Sequence, residues 1–377
     1  MPNDLIVVGI PSWAEESTIA HVVQQADAGL AAMGVAGRAV IVNADNASPD
    51  GTRRAFESVP TVAEKVYLST APGVRGKGHN IENLLRYATS QRAVVLTLLD
   101  ADLESITPQW IPRLLDPVLR GGADFVSPVY TTSQGGPLRN LISRPLVTGL
   151  FGTDVPQPTG GEVSLSARLA ARLVDQPLPQ TAWSYGIDVF LTTEAVLLGS
   201  RNVCTDLGHK LHRRRPWDTI APIAEAVVAS VLSQVVRHRA ELAGRTGPPS
   251  VVPAEPSSVR PLEQAERAGL LDHFHHGRPA FAALYQEALR PELADRVLAP
   301  LPDGLPRELW RPTVYGLVRH AVTDPDRVER CAAALMPLFE GRMVTYAADA
   351  VVESLADFHT HRLDALDDRD LAKGGPR

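Results

Sequence analysis

Ala93-Val94-Val95-Leu96-Thr97-Leu98-Leu99-Asp100-Ala101-Asp102 is an apolar run that stops on two carboxylates. Its length and β-branched content predict a strand buried on both faces. Residues 5–10, 39–42 and 65–68 repeat the pattern upstream, each between turn residues. Helical spacing fills the intervals, at about 17–33, 49–59 and 80–89. Ser48-Pro49-Asp50 predicts an N-cap followed by proline at the first helical position. This alternation implies an α/β fold, Rossmann-like, a mostly parallel sheet with helices on both faces. Ligands of such sheets bind beyond the carboxyl ends of the strands, so motifs at strand ends carry most weight.

Downstream the pattern changes. A strand is predicted at 123–130, then a Gly/Pro-rich loop, helices near 166–174 and 186–198, and a strand at 202–206. Residues 219–243 read as one long amphipathic helix. Residues 244–261 hold five prolines and read as a linker. The stretch 262–366 reads as helical, with His273-Phe274-His275-His276 at a helix end or turn. The division expected is a catalytic domain, 1–218, and a helical C-terminal region, 219–377. Ala334, Leu335 and Leu338 have the spacing of a core stripe or a homodimer contact.

Composition narrows the class. The 377 residues carry 37 Lys+Arg against 43 Asp+Glu, a net charge of −6, with 44% hydrophobic residues. That excludes a collagen-like or wholly disordered chain. It also supplies no basic footprint for nucleic acid. Two cysteines, Cys204 and Cys331, cannot build a disulfide framework or a cysteine-rich zinc site, which suits a reducing compartment. The apolar start at 5–10 is too short for a signal peptide or a membrane span. The expectation is a soluble cytoplasmic protein without a membrane or nucleic-acid partner.

Six motifs carry candidate chemistry. Asp100 and Asp102, at i and i+2 on a strand end, point to one side and offer hard oxygen ligands to a divalent cation, against the plainer reading of a solvated strand end. Gly76-Lys77-Gly78 leads into a helix, where glycines admit a phosphate and Lys77 adds a charge, although the spacing is not that of a P-loop. Asp45, after the second strand, offers a carboxylate to a base or ribose. Thr159-Gly160-Gly161-Glu162 suits a tight loop against a polyhydroxylated ligand. Tyr185-Gly186-Ile187-Asp188 puts a carboxylate in the first turn of a helix, where it also serves the dipole. Leu207-Gly208-His209-Lys210-Leu211-His212-Arg213-Arg214 offers an imidazole for a metal and arginines for phosphate or carboxylate.

In this order the motifs resemble those of the retaining GT-A glycosyltransferases of the glucosyl-3-phosphoglycerate synthase and mannosylglycerate synthase type, over about residues 5–217. The resemblance implies a GT-A fold and front-face transfer of a hexose from a nucleotide diphosphate sugar to a small hydroxy-acid such as glycerate or 3-phosphoglycerate, with Mg²⁺ or Mn²⁺. It implies that Pro11, Glu15, Asp45, Gly76, Lys77, Asp100, Gly161 and Glu162 line the donor site. Asp102 and His212, with Asp100, would serve the metal, and Lys77, Glu162 and Asp188 would lie at the reaction centre. Arg139, Thr159, Asp188 and Arg214 would meet the acceptor. The family's Asn in the first loop is Ala14 here, and its Gly-Gly-Arg-x-Thr acceptor segment is Gly135-Gly136-Pro137-Leu138-Arg139. Two other classes compete. A sugar nucleotidyltransferase would carry a Gly-rich, Arg-containing loop after the first strand, where Pro11-Ser12-Trp13-Ala14-Glu15 stands. A non-catalytic sugar-binding protein could share the fold.

Overall fold

The computed structural model describes residues 4–133, 136–211, 217–245 and 262–349, with Leu355 and Phe358. The chain divides into two compact units, residues 1–134 with 155–217, and residues 135–154 with 218–377. The segment expected to be a loop of the first domain therefore belongs to the second unit.

The first unit is a seven-stranded sheet. Its strands are β1 (Ile6–Ser12), β2 (Ala39–Asp45), β3 (Glu64–Ser69), β4 (Val95–Leu98), β5 (Phe125–Ser133), β6 (Val163–Ser166) and β7 (Asn202–Lys210), in the order β3-β2-β1-β4-β6-β5-β7. All pairs are parallel except those of β6, which runs antiparallel to β4 and β5. Strand alternation builds two cores. Ile6, Val8, Ile10, Ile41 and Val95 face α1 (Ile19–Ala32), α2 (Thr52–Ser58) and α4 (Trp110–Leu119). Val7, Val40, Val42, Leu96 and Leu98 face α3 (Lys77–Ser90), α6 (Ala167–Val174) and α7 (Ile187–Leu197). The remaining helix before 217, α5 (Arg144–Phe151), lies in the second unit.

Several local expectations need correction. β3 is an edge strand and only half-buried, because no strand covers its outer side. α2 begins at Thr52, not at Pro49. Ser48 is not its N-cap: its hydroxyl donates to Asp45 and accepts from the Ala14 amide. β6 is a strand beyond those expected, and its Ser164 hydroxyl hydrogen-bonds Thr97 of β4 at 2.7 Å.

Asp124, at the end of the sheet where β5 starts, accepts from Ser166, Arg168 and Arg201 and ties three strands. Burial opposes its charge, but these donors, Arg201 foremost, hold its carboxyl well below the usual range. A depressed folded-state pKa stabilises above the unfolded value and is lost as pH falls toward the folded one. Asp124→Asn is expected to cost about 2 kcal/mol near pH 7. The deficit should shrink below about pH 4, where the unfolded carboxyl takes up its proton. Denaturant melts at pH 7 and pH 3 check this, and a deficit equal at both would refute it.

In the second unit a π-helical turn, Leu138–Ser143, runs into α5. Arg144 grips Asp154 through two parallel hydrogen bonds of 2.9 and 2.7 Å. Beyond 217 come α8 (Trp217–Arg237), α9 (Arg239–Gly244), α10 (Gln264–Ala280), α11 (Ala282–Ala288), α12 (Pro291–Leu298), α13 (Arg307–Thr323) and α14 (Val328–Asp349). The expected single helix at 219–243 is thus two, broken at His238. Ile220–Arg237 of α8 is long and apolar enough to cross a membrane by length and composition. Half of that span is buried, at 224, 227–232, 234 and 235, with Ser230 and Gln234 among them, the burial of a helix enclosed on most sides. His273–His276 lie inside α10 rather than at its end, with Phe274 buried and His273 against Glu340 at 3.3 Å. Arg342, Met343 and Tyr346, and likewise Ala334, Leu335 and Leu338, are buried within α14. The proline-rich residues 246–261 lie outside the described residues.

Candidate active site

The carboxyl ends of β4, β5 and β7 and the start of β6 meet at one edge of the first unit. The N-termini of α3 and α7 close on the same edge from one face. Asp100 follows β4, Glu162 precedes β6, Tyr130 lies in β5 and Lys210 ends β7. Lys77 is the first residue of α3, and Asp188 the second of α7. Lys77 Nζ lies 2.7 Å from Asp100 Oδ1 and 2.8 Å from Asp188 Oδ2. Lys210 Nζ lies 3.3 Å from Asp100 Oδ2 and 2.9 Å from each Glu162 oxygen. The Tyr130 hydroxyl donates to Glu162.

Burial sets the electrostatics. The Glu162 side chain is 0% exposed, against 11% for Lys210, 13% for Lys77 and 22% for Asp100. Burial and the Asp100 charge push Glu162 up to about 7, although Lys210 pulls the other way. The same two influences push Asp188 up to about 6 against the pull of Lys77. Asp100 moves down, because Lys77 and Lys210 outweigh its desolvation. Both ammoniums are raised, as their carboxylate partners overcome burial. The charge of Asp102 also acts on Lys210, so four carboxylates share this edge with two ammoniums. The surplus of hard oxygen donors suits a magnesium-type cation that brings water or phosphate oxygens with it. Among the described residues no three side chains already stand as a ligand group.

Residues 8–161 match the family described as glycosyl transferase family 2. The glucosyl-3-phosphoglycerate synthase of Mycolicibacterium smegmatis is 25% identical over 244 residues, 61% of this chain and 77% of that protein. That of Mycobacterium tuberculosis (strain CDC 1551 / Oshkosh) is 26% identical over 248 residues, 61% of this chain and 73% of its own. A crystal structure of the M. tuberculosis enzyme with Mn²⁺, uridine-diphosphate and glucosyl-3-phosphoglycerate matches with a TM-score of 0.51. It is 27% identical, over 61% of this chain and 80% of that one. The chain has the GT-A fold and resembles the glucosyl-3-phosphoglycerate synthases.

The GT-A edge explains several motif residues. Gly161 is needed for space, since a Cβ there would overlap the Asp100 carboxylate. Gly76, at φ +126°, and Gly78 make room for the carbonyls of Trp183 and Ala182. They bring the α3 terminus against the segment before α7, which gives both glycines a packing role. Asn46, Asn80 and Ser12 lock the loops after β1 and β2 to Gly76: Asn46 donates to Asn80, Asn80 to the Ser12 carbonyl, and the Gly76 amide to Asn46. Ala14 stands at φ +57°, a left-handed conformation that Asn, the residue the resemblance leads one to expect there, adopts more readily.

Asp45 departs from its expected role. Its oxygens accept from Ser12, Tyr67, and both the amide and hydroxyl of Ser48. All four acceptor directions of the carboxylate are taken, so in this conformation it anchors loops and offers nothing to a base or ribose. Pro11 and Glu15 are buried at the end of β1 and in the loop after it, with the Glu15 amide on Thr52 Oγ1 at 2.9 Å. Thr159 is half-buried in the loop before Gly160. Arg139 belongs to the second unit and is 3% exposed. Its own burial and the neighbouring Arg144 lower it to about 10, which is the setting of a core guanidinium rather than an open acceptor contact. His212 and Arg214 lie outside the described residues. Tyr130 and Lys210 were missed as site residues: Lys210 sits in a basic run, and only its place at a strand end sets it apart from surface charge.

Proposed function

We propose that the chain is a retaining hexosyltransferase dependent on a divalent metal, taking a nucleotide diphosphate sugar as donor and a small hydroxy-carboxylate as acceptor. The observation that carries this is Lys77 Nζ held between Asp100 and Asp188, at the junction of a strand end and two helix N-termini. Such a cation belongs where a diphosphate acquires charge as it leaves. Asp102, with Asp100, would hold the metal, which supplies Lewis-acid neutralisation of the same charge.

Asp188 and Glu162 are both committed to ammonium partners, so neither is assigned as a nucleophile. In front-face transfer the bond from the sugar C1 to the diphosphate oxygen breaks, and the pair stays on that oxygen. The acceptor hydroxyl bonds C1 from the same side, and its proton passes to the leaving phosphate. Lys77 and Asp188 orient the groups.

The names of the relatives make UDP-glucose with 3-phosphoglycerate the first pair to try, and GDP-hexoses and D-glycerate complete the matrix. Incubation with Mg²⁺ or Mn²⁺ is expected to release nucleoside diphosphate only when an acceptor is present, and NMR of the product should show an α-linkage from an α-donor. A β-linked product rejects retention. Pyrophosphate-dependent exchange without sugar transfer would establish a nucleotidyltransferase instead.

A further inference from the structure

We propose that Lys210 is a second leaving-group cation, which hydrogen-bonds the departing diphosphate, and that Glu162 and Tyr130 are positioning residues that hold its ammonium in place. The inference rests on the transferase reading above and adds a residue and two supports to it.

An ammonium has three donors. Lys210 places two contacts of 2.9 Å on Glu162 and its longest, 3.3 Å, on Asp100. The Asp100 contact is the weakest of the three and points to the carboxylate-lined edge where the Asp100–Ala101–Asp102 segment lies. Glu162 cannot meet a ligand directly, since its side chain is wholly enclosed. What it does is fix the ammonium from behind. The Tyr130 hydroxyl holds Glu162 in turn, and the Tyr130 ring lies 5.4 Å from Nζ, within cation–π range.

The backbone is built for this aim. The β5–β7 pairing slips on both sides of Tyr130, and Gly208 opposite it stands at φ +76°. Such irregularities re-aim side chains next to functional sites. Lys77 reaches Asp100 from a helix and Lys210 reaches it from a strand, one on each oxygen. A diphosphate drawn to this edge therefore meets an ammonium on either side of Asp100. Lys210 keeps its proton throughout. It forms no covalent bond, but its hydrogen bond strengthens as charge collects on the non-bridging phosphate oxygens.

The test compares calorimetric affinities for nucleoside diphosphates and monophosphates, UDP with UMP and GDP with GMP, in the full chain with Mg²⁺. Lys210→Met is expected to weaken the diphosphate about 10-fold or more and to leave the monophosphate within about twofold. With sugar donor, kcat should fall more than KM rises, and Lys210→Arg should restore most of the diphosphate preference. Tyr130→Phe, which removes only the hydroxyl support, should give a smaller loss confined to the diphosphate. It keeps the question open to decision should Lys210→Met not fold. Equal loss for both nucleotides, or none, overturns the proposal. A wild-type chain that binds diphosphate yet transfers sugar to no acceptor sinks the transferase reading, while the affinity comparison still decides Lys210.

Discussion

Asp102→Ala is expected to lower metal-dependent sugar transfer roughly 10³-fold or more, the loss that follows when a Lewis acid worth several kcal/mol is no longer held. Asp102 is buried at the loop after β4, between Ala101 and Leu103, which both sit in the core. Ala101 and Leu103 anchor the backbone of this loop in the core, so shortening the Asp102 side chain removes a charge without removing that anchor. The thermal midpoint should move little. Initial rates across a Mg²⁺ and Mn²⁺ titration check the claim, and a variant with wild-type turnover would remove Asp102 from the metal assignment.

Lys77→Met should be the most damaging change on the α3 side. It leaves Asp100 and Asp188, largely buried, without the ammonium that both contact. Breaking one side of a buried ion pair costs about 3–5 kcal/mol, which for a chain of this length corresponds to a thermal midpoint lower by about 4–6 °C. Transfer should fall by about 10² or more as well, because the leaving group loses a cation. The pH dependence has a definite sign. Asp100 is depressed in the folded state, so the pair's contribution is present above the unfolded carboxylate value near about 4 and fades as pH falls. Lys77 is raised, so the contribution persists until pH climbs past about 10. The Asp188 carboxyl, raised to about 6, joins only above that value, so the stability gap between variant and wild type should be widest from about pH 7 to 9. A gap that grows in acid would show that the ion pair is not its source.

The strands that could be read from sequence are those with both faces buried. β1, β2 and β4 are mostly apolar because helices cover the sheet on each side, so Asp45 and Asp100 are legible as residues at the ends of β2 and β4. β6 escaped because Val163-Ser164-Leu165-Ser166 is four residues long, with polar side chains that pair across the sheet or cap α6. Its direction could not be inferred either, and with it went the reason that Gly161 and Glu162 arrive beside Asp100. The start of α2 was misplaced because Ser48 and Pro49 are good capping residues in isolation, while the fold uses Ser48 to hold Asp45 and Ala14. Asp45 itself shows the limit of motif reading: a carboxylate after a strand looks like a ligand group until its four donors are seen. The ion network is legible only in three dimensions, since Lys77, Asp100, Glu162, Asp188 and Lys210 are drawn from five separate elements or their edges.

The excursion at 135–154 has a consequence for how the protein is made. Because the polypeptide leaves the sheet after β5 and returns before β6, neither unit is one continuous stretch of chain. Leu141, Ile142, Leu146, Val147, Leu150 and Phe151 are buried in the second unit, where Trp310 donates to the Leu141 carbonyl and Asn140 to the Tyr346 hydroxyl. On the ribosome these residues emerge well over a hundred positions ahead of the helices that enclose them. A fragment ending at 217 would contain every strand of the sheet and still display this greasy loop to water, so a chaperone or a neighbouring chain would find it before α13 and α14 do.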